Sequence, residues 1–399
     1  MSEWKRYKLG ELLSIKHGWA FKSENYVTDS KTALVTLRNI SEDSRFVFDV
    51  NKTTYYGGEY PEEYNLNEGD LIIPLTEQVV GLLGNSAFVP NFGDIKFVLN
   101  QRVGKVQEKY EKIDKIFLKY LLSTTTVRTQ MEYRASGTKQ RNISPKDIYD
   151  IEVYIPELVI QKYIGRILYN LDKKIQTNNQ INQELEAMAQ TLYDYWFVQF
   201  DFPDQNGKPY KSSGGKMVYH PELKREIPEG WGVVRLGELQ ITTGKRDANF
   251  GTENGKYDFW TTANSPIKAD EFSFEGKAIL IAGNGNFYVN FTDGKFEAYQ
   301  RTYVIQSEDE KMLIFMYMAC LQSAEKLRKA SNGSIIKYIT IGDVNNISSP
   351  YDHNIVDEFV KIYRPLIDQI SKNKKQNQEL TQLRDWLLPM LMNGQVKVK

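Results

Sequence analysis

One cysteine, Cys320, in 399 residues excludes a disulfide framework, and its place inside the apolar run Met312–Leu321 makes it a core residue. Only three histidines occur, His17, His220 and His353, and they are too widely separated to give a zinc spacing with that cysteine. The run Met312–Leu321 is also the longest apolar stretch, far short of a membrane span, so it reads as a buried helix. Met1-Ser2-Glu3-Trp4-Lys5-Arg6 carries no apolar segment of the secretory kind, which makes the cytoplasm the expected compartment. Excess charge of one sign is missing as well, since 51 basic residues balance 51 acidic ones. A neutral total weakens the case for a nucleic-acid ligand but leaves the distribution of charge, and any partner's charge, open. No Gly-Lys-Ser/Thr phosphate loop occurs, and Gly283-Asn284-Gly285 lacks the third glycine and the acidic residue of a dinucleotide fingerprint. Asn-Pro-Pro-aromatic and Asp-Pro-Pro-aromatic sequences, which grip a target amine in amino-methyltransferases, are absent too.

What is present is periodic. Ile164, Leu171, Asn178, Leu185 and Leu192 fall seven apart, and Leu168, Ile175, Asn182, Ala189 and Trp196 form the companion seam. Phe359, Leu366, Asn373, Leu380 and Leu387, with Tyr363, Ile370, Asn377, Arg384 and Leu391, repeat the plan with the asparagines at the same places. Two long heptad helices are predicted, each of about 33 residues and therefore roughly 50 Å long. Pro365 and Pro389 are expected to interrupt the second. Antiparallel pairing that sets Asn178 against Asn377 and Asn182 against Asn373 matches apolar to apolar in seven of ten layers, with Leu171–Arg384 the one poor fit. An amide layer costs stability and fixes register, because shifted pairings bury amides against Leu or Ile.

The rest of the chain is duplicated as well. Trp4, Leu9, Gly10, Glu11 and Leu12 recur at identical spacing as Trp231, Leu236, Gly237, Glu238 and Leu239. Asn100-Gln101-Arg102-Val103 is echoed by Tyr299-Gln300-Arg301-Thr302, Phe117–Leu122 by Phe315–Cys320, and Gly137…Ile143-Ser144…Asp147 by Gly333…Ile339-Thr340…Asp343. Their common order implies a long internal repeat, each half closed by its heptad helix. Within the halves, 33–37, 70–74, 87–89, 98–106, 278–282, 287–291 and 302–306 read as strands, and 113–123 and 127–133 as helices. Residues 200–230, dense in Pro, Gly, Asn and Ser, read as a linker over the surface. The fold class is α+β: two similar α/β domains separated by two long helices in an antiparallel coiled coil, a pseudo-twofold repeat.

The chain resembles the specificity subunits of type I restriction–modification systems. The likeness rests on the Trp-x4-Leu-Gly-Glu openings at Trp4 and Trp231 and on the tract Tyr195-Trp196-Phe197…Asp201-Phe202-Pro203…Gly207-Lys208-Pro209-Tyr210. Glu379-Leu380…Leu383-Arg384…Leu387-Leu388-Pro389, Leu37-Arg38-Asn39-Ile40 and Gly69-Asp70-Leu71-Ile72 add to it. The resemblance implies a non-catalytic subunit with target-recognition domains at 1–156 and, after the 200–230 linker, up to 352, and conserved helices at 157–199 and 353–399. It implies double-stranded DNA read as two half-sites, with the helices setting the spacer. It also implies two methyltransferase subunits, and nuclease/translocase subunits beside them, with S-adenosylmethionine, ATP and magnesium bound in those partners and no membrane involved.

Base-reading residues do not carry over from a family whose readers differ. Polar side chains in turn contexts, of the types that bridge base edges, are the candidates: Arg38, Asn39, Gln78, Lys139, Gln140, Arg141 and Asn142 in the first half, and Lys245, Arg246, Asn284, Asn286, Lys337 and Tyr338 in the second. Gln101-Arg102 and Gln300-Arg301 occur in both halves, so they are read as structural or backbone-binding. Two other functions compete. Asp204, Glu222 and Lys224 fit a loose metal-dependent nuclease pattern, and the domains would also serve as a protein-binding scaffold that never meets DNA.

Overall fold

The computed structural model describes residues 4–78, 81–109, 111–330 and 337–396. Two compact units emerge, one made of residues 1–178 and 375–399, the other of 179–374.

The first unit is built on two sheets. Leu13–His17 (β1), Leu71–Pro74 (β3), Ala87–Phe88 (β4) and Val103–Glu108 (β6) form an antiparallel sheet in the order β1-β6-β3-β4. Thr32–Val35 (β2) runs parallel to Lys96–Leu99 (β5) in the second sheet, flanked by two-residue strands. Ala33, Leu34 and Val35 are all buried, the unbroken apolar run expected of a strand covered on both faces. Helix α1, Lys115–Leu122, starts at Asp114, whose Oδ1 accepts the Phe117 N–H at 2.9 Å, and presents Phe117, Leu118 and Leu121 to the core. Helix α2 runs from Leu158 to Tyr193 without a break, 36 residues, and Ile164 and Leu168 join the same core.

In the second unit the plan returns. Gln240–Thr243 (β7), Ala278–Ala282 (β9), Val289–Thr292 (β10) and Thr302–Gln306 (β12) form a sheet in the order β7-β12-β9-β10. Tyr257–Trp260 (β8) lies parallel to Lys295–Ala298 (β11), as β2 does to β5. Helix α3, Glu310–Ala330, buries Cys320 with Phe315 and Met316. Helix α4 runs from His353 to Met392, 40 residues. Pro365 and Pro389 therefore do not interrupt it. A lost N–H and a ring clash are tolerated where neighbouring turns are held by packing, as at the buried Phe359, Tyr363 and Leu391.

The duplication extends to individual hydrogen bonds. Leu9 N donates to Ile151 O at 2.9 Å in one unit, and Leu236 N to Ile347 O at 2.8 Å in the other. Glu11 and Glu238 accept the N–H groups of Lys8 and Arg235 at 2.8 and 3.0 Å. Ser144 with Asp147 and Thr340 with Asp343 make the same reciprocal cap.

Inside each unit the long helices pair antiparallel in the register set by the asparagines. In the first, Asn178 Nδ2 donates to Asn377 Oδ1 at 2.9 Å. In the second, Asn373 Nδ2 donates to Asn182 Oδ1 at 2.8 Å. The poor Leu171–Arg384 layer is resolved one residue along. Arg384 Nη1 lies 3.0 Å from Asp172, which also holds Lys119 Nζ at 3.1 Å and Tyr120 Oη at 2.7 Å.

Two expectations change. The stretch 98–106 is two strands, β5 and β6, separated by a turn at Gln101-Arg102. The 200–230 segment is no surface linker: Phe200, Phe202 and Ile227 are in the second unit's core, and Met217–His220 pairs with Arg225–Pro228 as a hairpin. Phe202 is sandwiched between Tyr210 and Trp231, centroids 4.8 and 4.9 Å away. Among the described residues no helix is long and apolar enough to cross a membrane.

Candidate nucleic-acid interface

The parallel pair in each unit defines an edge, because both strands end there and hand over to turns. In the first unit β2 ends at Val35, whose carbonyl accepts Asn100 N at 3.3 Å; in the second, Trp260 O accepts Tyr299 N at 2.9 Å. Arg38 follows β2 and is exposed, with no polar partner for its side chain among the described residues. Asn39, its neighbour, is 7% exposed and fully engaged: Oδ1 accepts Thr36 N at 2.8 Å and Nδ2 donates to Val47 O at 2.9 Å. Its amide shapes the turn and is withdrawn from any base.

The loop at 137–142 reaches the same region through pairing of Arg141–Asn142 with Thr76–Glu77. Gln78 and Lys139 are exposed, and Gln140 Nε2 donates to Asn142 Oδ1 at 3.3 Å. Arg141 is 3.0 Å from Glu77, a fully buried carboxylate that also accepts the N–H groups of Gly81, Leu82 and Leu83 at 3.1 Å each. Asn142 Oδ1 accepts Thr76 Oγ1–H at 2.8 Å. Arg141 is thus committed to the scaffold and Asn142, though exposed, is bonded to Thr76, whereas Arg38, Gln78 and Lys139 are exposed and Gln140 is half-buried.

The second unit sorts in the same way. Arg246 is held by Glu271 at 2.7 Å and Glu297 at 3.3 Å, with its guanidinium 4.3 Å from the Phe250 centroid. Lys245 beside it is exposed and unpaired among the described residues. Asn284 makes a bridge with Tyr338, and Ile339 N donates to Gly283 O at 3.0 Å, as Ile143 N does to Leu75 O. Asn286, Lys337 and Tyr338 are exposed around that bridge; Asn286 Nδ2 donates to Tyr288 Oη at 3.1 Å. Residues 261–265, which follow β8 as 36–39 follow β2, were missed by the sequence reading, and Asn264 there is exposed. The signal existed: Thr36-x-x-Asn39 and Thr261-x-x-Asn264 share a spacing.

The nuclease candidates are tied elsewhere. Asp204 Oδ1 accepts the N–H groups of Asn206 and Lys208 at 2.8 Å each, closing its own turn, and Glu222 is 2.7 Å from Arg235. Among the described residues no three His, Cys, Asp or Glu side chains are placed to hold a metal ion.

A duplicated α/β scaffold with differing polar loops on one edge of each copy is a class of paired recognition module. The profile of the type I restriction modification DNA specificity domain matches residues 1–187 and 228–382, and the chain belongs to that family. Its relatives include the HindI specificity subunit of Haemophilus influenzae, 23% identical over 99% of this chain and 100% of that one. The MjaIX specificity subunit of Methanocaldococcus jannaschii is 27% identical over 71% and 69%. The EcoDI specificity subunit of Escherichia coli is 36% identical, over 43% of this chain and only 40% of its own length. Among solved structures, a type I restriction–modification S subunit from M. genitalium superimposes with a TM-score of 0.62, covering 100% of this chain and 97% of that one at 16% identity; that likeness supports the fold.

Proposed function

We propose that this DNA specificity subunit is non-catalytic and reads a bipartite target, one half-site with each α/β domain, while the paired helices set the unread spacer. The observation that carries the reading is the contrast between scaffold and loops. Hydrogen bonds repeat from one domain to the other, yet the exposed side chains on the corresponding edge differ: Arg38, Gln78 and Lys139, with the half-buried Gln140 beside them, against Lys245, Asn264, Asn286, Lys337 and Tyr338. Arg, Gln and Asn are the residues that pair with guanine and adenine edges. Methyltransferase subunits supply S-adenosylmethionine, and nuclease/translocase subunits supply ATP- and magnesium-dependent work. The helices and adjoining surfaces of this chain dock the methyltransferases.

Methylation-motif sequencing of DNA from cells carrying the assembled system gives the target and its spacer. Replacing Lys139 and Gln140 by the residues of another reader is expected to change one half-site and leave the other intact. Loss of both halves together would refute independent reading.

A further inference from the structure

We infer that Arg102 and Arg301 are a matched pair of DNA-backbone clamps, one per domain, each gripping a phosphate whatever the sequence beside it. This rests on the DNA-reading function proposed above and adds to it the residues that hold the duplex in place.

Each arginine occupies a corner of a β-turn that the two domains fix in the same way. Gln101 N donates to Trp19 O at 2.9 Å, Val103 N to Asn100 O at 2.9 Å, and Leu75 N to Arg102 O at 2.9 Å. In the second domain Gln300 N donates to Arg246 O at 2.9 Å, Thr302 N to Tyr299 O at 2.8 Å, and Gly283 N to Arg301 O at 2.7 Å. A glycine presses on each turn. A Cβ on Gly18 would lie 2.1 Å from Asn100 O, and one on Gly244 would lie 2.2 Å from Ala298 O and Tyr299 O. The turn backbone is therefore held by these bonds, while its two side chains make no hydrogen bond or ion pair among the described residues. Gln101, Arg102, Gln300 and Arg301 are all exposed, and neither guanidinium has a carboxylate partner among the described residues. Most other arginines here do have partners: Arg6, Arg45, Arg141, Arg235, Arg246, Arg364 and Arg384 all sit in ion pairs.

The placement and the identity of the residues select phosphate over base. Arg102 is bonded through its carbonyl to Leu75, which is bonded through its own carbonyl to Ile143, so the arginine stands next to the 137–142 loop. Arg301, Gly283 and Ile339 repeat that chain beside Lys337 and Tyr338. A residue that reads bases must differ when the half-sites differ, whereas phosphates are alike at every step and need only a rigidly presented cation.

The test uses the chain assembled with its methyltransferase subunits. Affinity is measured from about 0.05 to 0.3 M salt on two duplexes, one carrying the target motif and one lacking it. Arg102→Ala and Arg301→Ala are each expected to weaken binding to both duplexes by the same factor, on the order of tenfold, and to flatten the log–log salt slope by about 0.9. Arg102→Lys and Arg301→Lys should keep the wild-type slope, since a lysine still neutralises one phosphate. Unchanged affinity and slope in the alanine variants would overturn the inference. So would a loss confined to one base at one target position, which is base reading, or a loss of methyltransferase association with DNA contacts intact. If the wild-type complex itself binds neither duplex, it is the DNA-reading function that falls, a result distinguishable from all the others.

Discussion

Asp172 is the anion at the centre of a largely buried polar node, and Asp172→Asn is expected to destabilise the first unit severely. Its carboxylate holds Lys119 at 3.1 Å, Arg384 at 3.0 Å and the Tyr120 hydroxyl at 2.7 Å, and the side chains of Asp172, Lys119 and Arg384 are only 14%, 8% and 16% exposed. Asparagine keeps the volume but leaves two cations beside a neutral acceptor, a change that typically costs about 3–5 kcal/mol. For a unit of this size each kcal/mol moves the melting temperature by about 2–4 °C, so a fall of roughly 10 °C is expected. Tyr120→Phe removes one hydrogen bond to the charged group and should cost about 1.5–3 kcal/mol. Acid titration gives a second handle. Burial pushes the Asp172 carboxyl up, but the Lys119 charge and the bonds from Tyr120 and Arg384 outweigh it and hold the group below the usual aspartate range. A depressed carboxylate stabilises the fold fully above its unfolded value, near about 3.9, and loses that contribution as pH falls through the folded value. The gap between wild type and variant should thus persist from neutral pH down to about 4 and close below it. Calorimetry across that range decides the matter: a variant within about 2 °C of wild type at neutral pH would refute the reasoning.

Other consequences can be checked beside it. Asn182→Leu alone leaves the buried Asn373 amide without its 2.8 Å partner and should cost about 1–3 kcal/mol, while Asn182→Leu with Asn373→Leu should recover most of that loss in a chemical-denaturation cycle. Gly18→Ala forces a Cβ to 2.1 Å from a backbone oxygen and is expected to lose about 1–3 kcal/mol in a thermal melt; Gly232→Ala, with open space around it, should be nearly neutral. Adding one heptad to each long helix lengthens the pair by about 10 Å, and methylation-motif sequencing should then report a spacer longer by about three base pairs with both half-sites kept.

The long helices and the duplication were legible because their signals are spacings. Heptad periodicity and the paired asparagines specify which faces must meet, and burial of Asn178, Asn182 and Asn373 in the amide layers follows from that pattern. Side-chain commitment was not legible. Asn39 and Arg141 look like readers by residue type, yet one amide closes a turn and one guanidinium answers the buried Glu77, a partner 64 residues away. Turn-rich composition at 200–230 describes the path of the backbone correctly but says nothing of Phe200 and Phe202, which bury because aromatic area outweighs local chain preference. The break at Gln101-Arg102 was hidden inside a β-rich run, since a tight turn between two sheets needs only two residues.

The composition of the first unit has a consequence for how the chain is made. Its core includes Leu391 and Met392, and its polar node needs Arg384, although its other residues end at 178. The intervening 179–374 form the second unit from contiguous sequence. During synthesis, where domains fold as units when their residues emerge, the usual order is inverted: the unit translated first waits unfinished while the whole of the second appears. A frameshift or stop near residue 380 would accordingly spare the domain just upstream and disable the one begun hundreds of codons earlier.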